Sequence, residues 1–191
     1  MGRPSHVDKE AALNAALPVF WNQGYEGTNL PDLLDAMQLT RGTFYRAFSD
    51  KRAVYLEALE YYGETRFGKA LDLLSEPGLP PLQRLTNLYR RTETTAPGKV
   101  NPQIGCFICN AMVEVAPFDE EVARICDARS KQLQAGLRSV LTDAMPNADV
   151  AAIQRKCRIL ARMYFGAHAM GRMGQSFEDW EAFFSDFLHL N

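Results

Sequence analysis

Residues 28–51 read TNLPDLLDAMQLTRGTFYRAFSDK, and the pattern inside them decides the fold of this 191-residue chain. Asn29 is placed to cap a short helix, with Asp32 three residues on in the capping-box position. Leu30, Leu33, Leu34 and Met37 recur at helical spacing and give that helix one apolar face. Pro31 falls in its first turn, where a missing N–H is harmless. Thr40 caps a second short helix, Arg41 to Phe48, in which Phe44 and Phe48 lie four apart and turn inward together. Arg41, Gly42, Thr43, Tyr45 and Arg46 are left facing out. Two short helices at a tight connection, the second with a polar and aromatic outer face, predict a helix-turn-helix. In that motif the second helix enters the major groove and its first turn meets base edges.

Helical periodicity continues on both sides of this stretch, and alternating β-branched runs bounded by hairpin turns are absent. A first helix is expected from about Val7 or Asp8 to Asn22, stopped by Gly24, with a local kink at Pro18, where an interior proline costs roughly 3 kcal/mol. A fourth runs from near Asp50 to about Leu74. SEPGLPP, at 75–81, is a clear break before a helix from about Leu82 to Thr95, and TAPGKVNP breaks the pattern again. Gly105 to Ala116, Asp119 to Met145, Asp149 to Arg172 and Phe177 to Leu190 are helical by pattern. The expectation is an all-α chain of about nine helices, with a three-helix DNA-binding domain at residues 6–66 and a helical domain for ligand binding and dimerisation at 67–191.

Composition agrees with a globular chain that binds nucleic acid through a motif and not through bulk charge. The chain is 47% apolar and 23% charged, ordinary proportions for a folded domain. No stretch approaches the roughly 20 apolar residues that span a membrane, and MGRPSHVDKE lacks the apolar core of a secretion signal. Four cysteines without a disulfide-scaffold spacing make the reducing cytoplasm the expected location. Across residues 1–52, Arg3, Lys9, Arg41, Arg46, Lys51 and Arg52 are balanced by Asp8, Glu10, Glu26, Asp32, Asp35 and Asp50. A strongly basic domain would argue for nucleic acid by itself; this one is neutral, and the placement of its cations has to carry the reading.

Chemistry assigns each outward residue a role. Tyr45 and Lys51 are the best phosphate contacts, a phenol donor on the reading helix and an ammonium at the start of the next, where backbone N–H groups add to an anion site. Thr28, just before the first short helix, can donate to phosphate in the same way, and Thr40 sits at the mouth of the reading helix. Arg41 and Thr43 occupy its first turn, where an arginine can pair with a guanine edge. Gly42 allows close approach, Arg46 reaches backbone or base, and Arg3 can track a minor groove from the N-terminal arm.

The chain resembles the TetR-type transcriptional regulators. Their pattern LFxxxGYxxTxxxxLxxAxxxxRGTFYxxFxxKxxLxxxxL meets VFWNQGYEGTNLPDLLDAMQLTRGTFYRAFSDKRAVYLEAL at 19–59. A second run, GCFICNAMVEVAPFDEEVA at 105–123, is similar to the GCLxxNxxxExAPxDxEVA of one group of these proteins. The resemblance implies a homodimer on a palindromic DNA operator, paired through the last two long helices, with a cavity against the fourth helix for a small-molecule inducer. It implies a repressor and no cofactor. One departure is Gln38, where the connection often has glycine; a non-glycine residue there implies modest strain or a different turn.

The second chemical feature is Cys106-Phe-Ile-Cys109. On a helix, residues three apart share a face, so both thiols would meet one cavity or each other. Core packing, thiol sensing and metal binding compete for it; regulators similar around Cys106 respond to reactive compounds, whereas a lone CxxC lacks the second ligand pair of a zinc site. The apolar run from Cys106 to Ala116 predicts a helix buried on several sides. The stripe Met163, Tyr164, Phe165, His168, Met170 and Met173 is expected to face it, either as plain core or, as the family resemblance implies, as a wall of a ligand chamber. Asn110, Glu114 and His168 are the polar groups that would orient a ligand there.

An enzyme is the rival class. The βαβ framework of a CxxC oxidoreductase, the paired Glu-x-x-His of a helical di-iron site, a phosphate-binding glycine loop and a nucleophile elbow are all missing from the sequence. A helical interaction module that does not bind DNA is the third possibility.

Overall fold

The computed structural model describes residues 7–92, 104–175, 177 and 179–189. Among these residues the chain is all helix: α1 (Lys9–Gly27), α2 (Leu30–Met37), α3 (Arg41–Phe48), α4 (Lys51–Tyr62), α5 (Gly68–Leu71), α6 (Pro81–Arg90), α7 (Phe107–Glu114), α8 (Glu120–Ala144), α9 (Val150–Gly171) and α10 (Trp180–His189). A π turn, Gly63–Phe67, joins α4 to α5, and a 3-10 turn, Asp72–Ser75, follows, so these pieces form one continuous rod. Counted that way, the described residues contain nine helical elements.

Short polar side chains start most of them. Asp8, Asn29, Thr40, Asp50, Asp119 and Asp149 each accept from a backbone N–H in the first turn of the helix they precede. Each such cap contributes roughly 1 kcal/mol. The box at Asn29 is complete: Asp32 N–H donates to Asn29 Oδ1 at 3.1 Å, and Asn29 N–H to Asp32 Oδ2 at 3.3 Å.

Leu33 and Met37 of α2 and Phe44 and Phe48 of α3 are buried with Ala16, Leu17 and Phe20 of α1 and Val54, Ala58 and Leu59 of α4 in one continuous apolar core. Aromatic rings join the two expected domains. Phe107, the first residue of α7, sits 6.2 Å from Trp21, 5.6 Å from Tyr55 and 5.7 Å from Tyr62, ring centre to ring centre. The division expected at 66/67 therefore falls inside a continuous rod, across which the core is shared. Beyond it, α8 and α9 pack along each other, and α6 lies between α8 and α10.

Three local backbone features bear on these expectations. Helical dihedrals persist at Pro18, and α1 departs from them only at Gly24 (φ 77°, ψ 173°). Gln38 adopts the left-handed conformation (φ 52°, ψ 40°) and donates its N–H to the carbonyls of Leu34 and Asp35, so the turn is the ordinary one with a residue that strains to make it. Helix α7 begins two residues later than the pattern suggested, because Gly105 has φ 71° and Cys106 is extended.

Candidate nucleic-acid interface and inner cavity

Helix α3 presents the outer face that its spacing predicted. Arg41, Gly42, Tyr45 and Arg46 are exposed, Tyr45 to 49%, while the ring of Phe44 beneath is wholly buried. Nothing stands within 4 Å of where a Gly42 side chain would begin, so this part of the helix is open to close approach. Thr43 is half-buried and tied into a small network: its N–H donates to the Thr40 hydroxyl at 3.3 Å, the two hydroxyls lie 2.9 Å apart, and Arg46 donates to Thr43 Oγ1 at 3.3 Å. The Arg46 guanidinium is thereby held along the helix toward its first turn.

Two expected phosphate contacts are engaged internally. Thr28 is buried, and its hydroxyl donates to the Gly24 carbonyl at 2.6 Å. Its hydroxyl closes the end of α1 and does not face outward. Lys51 donates to the carbonyls of Tyr25 and Thr28, both at 3.0 Å, and its ammonium lies 4.3 Å from the centre of the Tyr25 ring. Two of its three N–H donors are so committed, to carbonyls at the turn from α1 to α2, where the helix end leaves acceptor capacity free. Arg3 lies outside the described residues.

The single ligand chamber expected from sequence resolves into two spaces. The first, about 400 Å³, lies between α1, α4, the π turn, α5 and α9; Trp21, Tyr62, Arg66, Phe67, Tyr164 and His168 are among its walls. The second, also about 400 Å³, lies between the end of α1, α7 and the end of α9, and takes Cys109, Asn110 and Glu114. Asn110 and Glu114 have structural partners there: Asn110 donates to the Ile104 carbonyl at 3.1 Å, and Glu114 Oε1 accepts the Glu26 N–H at 3.1 Å. Glu114 also sits where any side chain at Gly24 would go, with Oε1 2.7 Å from a Cβ placed there. Phe165 lines neither space.

His168 is only 8% exposed, and neither ring nitrogen has a hydrogen-bond partner. Burial lowers its pKa to about 4, so the imidazole is neutral at physiological pH. Trp21 Nε1 is buried and unpartnered as well. Sequence reasoning missed Trp21, Arg66 and Lys69 as cavity residues. No local motif marks them, since only the packing of α1 against the rod puts them together.

The two CxxC sulfurs take different partners. Cys106 precedes the helix and receives the Tyr62 hydroxyl at 3.4 Å, whereas Cys109 donates to the Phe165 carbonyl at 3.5 Å. Burial pushes the Cys106 thiol up, opposed by that hydroxyl and by the backbone N–H groups of Cys109 and Ile108. Cys109 and Cys126 are each pushed up to about 12, chiefly by burial. All four cysteines are free and buried, and the described residues hold no group of three metal-ligating side chains.

Comparison with known proteins places this geometry. Residues 12–58 match the family model of the N-terminal region of bacterial regulatory proteins of the tetR family. The chain is similar to an uncharacterised HTH-type transcriptional regulator, YezE of Bacillus subtilis, with 32% identity over 140 residues, 70% of this chain and 68% of that protein. Its fold is similar to the reduced form of Escherichia coli NemR, with TM-score 0.77, 21% identity and 95% of each chain covered. It is also similar to a cysteine mutant of the TetR family regulator CifR complexed with 26-bp operator DNA, with TM-score 0.76, 25% identity, and 98% of this chain and 99% of that one covered. An outward reading helix on a tetR-type head, and a relative matched across two thirds of both chains, lead to one conclusion: the chain belongs to the TetR family of bacterial regulatory proteins and is a DNA-binding transcriptional regulator.

Proposed function

We propose that the protein is a cytoplasmic homodimeric repressor that leaves a palindromic operator when a small molecule enters the cavity beside the π turn. The observation that carries this is the continuity of one rod. It begins at Lys51, directly after the reading helix, and its π turn, Gly63–Phe67, forms part of the cavity wall. A π turn inside an α-helix is uncommon and is frequently found at functional sites, and occupancy of the cavity it lines can alter where α3 stands. The inducer changes operator affinity only by its differential affinity for the two arrangements. NemR of E. coli is named a transcriptional repressor, which favours repression here. The long helices α8 and α9 suit the dimer surface: α9 leaves Ile159, 53% exposed, and Val150, 71% exposed, on its outside. The reading helices of such a dimer would enter successive major grooves ~34–36 Å apart.

Selection of bound sites from random duplex DNA tests the reading, with the Tyr45→Ala variant run in parallel. An enriched palindrome that the variant loses supports it. No enrichment at low salt, with a folded dimer confirmed, would overturn it.

A thiol-reactive inducer is the second reading, favoured by the donors gathered at Cys106. It requires the α7 start to open, because Cys106 is wholly buried. Operator release by N-ethylmaleimide in the wild type, absent in Cys106→Ser, would support it; equal release in both would move the reaction to another thiol, and no release in either would exclude it.

A further inference from the structure

We infer that the cavity beside the π turn takes an organic anion, a carboxylate carried on a flat apolar body, with Arg66 and Lys69 meeting its charge. The inference rests on the inducer reading of this cavity and names the class of molecule. Charge asymmetry is the first observation. The described lining contains Arg66, Lys69 and Arg91 and no carboxylate, although the chain as a whole carries a formal −2. Three of the rod's four acidic side chains, Glu57, Glu60 and Glu64, line a separate groove against α8. Arg66 and Lys69 thus line one space, and three glutamates of the same rod line another.

The second observation is the pair of unpartnered buried groups. His168 lines the cavity with both ring nitrogens uncommitted, and Trp21 Nε1 is a donor without an acceptor. Interiors pair such groups as a rule, and polar atoms of a ligand that displaces the walls around them would supply the missing partners. A neutral imidazole offers one donor and one acceptor and adds no charge, so charge recognition falls to the cations. Trp21, Tyr62, Phe67 and Tyr164 supply the apolar walls. Flat unsaturated or aromatic bodies fit them, and a volume of about 400 Å³ lies within the range of small-molecule sites. Arg66 already stacks over Trp21, 5.6 Å from the ring centre. A carboxylate bound there would meet a guanidinium whose planar fork matches it in geometry.

The test compares two fluorescent probes of nearly one shape on the intact protein: anilinonaphthalene sulfonate, an aromatic anion, and phenylnaphthylamine, its uncharged counterpart. Benzoate and phenyl phosphate are added as competitors. The wild type is expected to bind the anionic probe at least roughly tenfold tighter than the neutral one, the size of one charge-assisted contact. Arg66→Gln and Lys69→Gln should each erase most of that preference, with a smaller change in the neutral probe's affinity than in the anion's. Benzoate should displace the anion at lower concentration than phenyl phosphate does. Equal or tighter binding of the neutral probe, or anion binding untouched in both variants, would overturn the anion assignment and leave the inducer reading standing. Stronger competition by phenyl phosphate would replace the carboxylate with a phosphate ester. Failure of both probes to bind would overturn the inference together with the cavity reading beneath it.

Discussion

Arg52, in the first turn of α4, holds Asp119, the N-cap of α8, through two parallel hydrogen bonds of 2.6 and 2.9 Å. The pair joins the element that follows the reading helix to the longest helix of the second lobe. Asp119 also accepts from the backbone N–H groups of Glu121 and Val122, so one carboxylate both caps α8 and fastens α4 to it.

That arrangement sets a pH dependence. The hydrogen bond from Arg52 is the main cause that lowers the Asp119 pKa from 3.8 to about 2. A depressed carboxylate contributes stability that is present above its unfolded value and is lost as pH falls toward the folded value. The window is therefore pH 4 to 2. Asp119→Asn keeps a capping oxygen and removes the charge. Its urea midpoint should lie below that of the wild type at pH 7, and the gap should close between about pH 4 and 2. A gap that persists at pH 2 would show that the charge is not its source.

Gly63 is required by Arg129. The guanidinium of this buried arginine lies against the Gly63 α-carbon in the space a Cβ would need. It also pairs with the Glu60 carboxylate and donates to Gln132 Oε1 at 3.1 Å. Gly63→Ala should destabilise the wild type by about 1–3 kcal/mol, the usual cost of overpacking. In an Arg129→Ala background the same change should stabilise by roughly 0.5–1 kcal/mol, because alanine is the better helix former at helical dihedrals. Urea unfolding of the four proteins measures this reversal, and the same sign in both backgrounds would refute the account.

Gln38 stores strain at an exposed turn. A non-glycine residue in the left-handed region costs roughly 1–2 kcal/mol, and glycine returns roughly 0.4–1 kcal/mol through unfolded-chain entropy. Gln38→Gly should therefore raise stability by a net amount of up to about 1.5 kcal/mol, measured by thermal or urea unfolding. A loss of stability would mean that the side chain makes a contact worth more than the strain.

Residues of the DNA face should separate by salt dependence. Arg46→Gln should lower the slope of log affinity against log salt by ~0.9 if it neutralises one phosphate. Tyr45→Phe, which removes one donor, should weaken binding roughly tenfold on all sequences with the slope unchanged. Lys51→Ala should in addition lower the unfolding temperature, because Lys51 holds the carbonyls of Tyr25 and Thr28. Equilibrium titration at several salt concentrations tests the three together; identical slopes in the wild type and Arg46→Gln would remove Arg46 from the phosphate contacts.

The sequence by itself determined the reading head. Caps such as Asn29 and Thr40 act within three residues, and the inward pairs Leu33 and Met37, Phe44 and Phe48 are set by helical period, so neighbours in sequence carry the whole instruction. Tertiary structure decided the rest. Thr28 and Lys51 look like surface donors until the end of α1 brings them unpaired carbonyls. Cys106 looks like a residue of the helix until Gly105 takes positive φ and moves the helix start past it. Trp21, Arg66 and His168 meet only because α1, the rod and α9 pack around one space. A helix that is apolar over much of its circumference does not specify which neighbour covers each side. That choice comes from the simultaneous packing of several helices, and with it come the cavity and its charge.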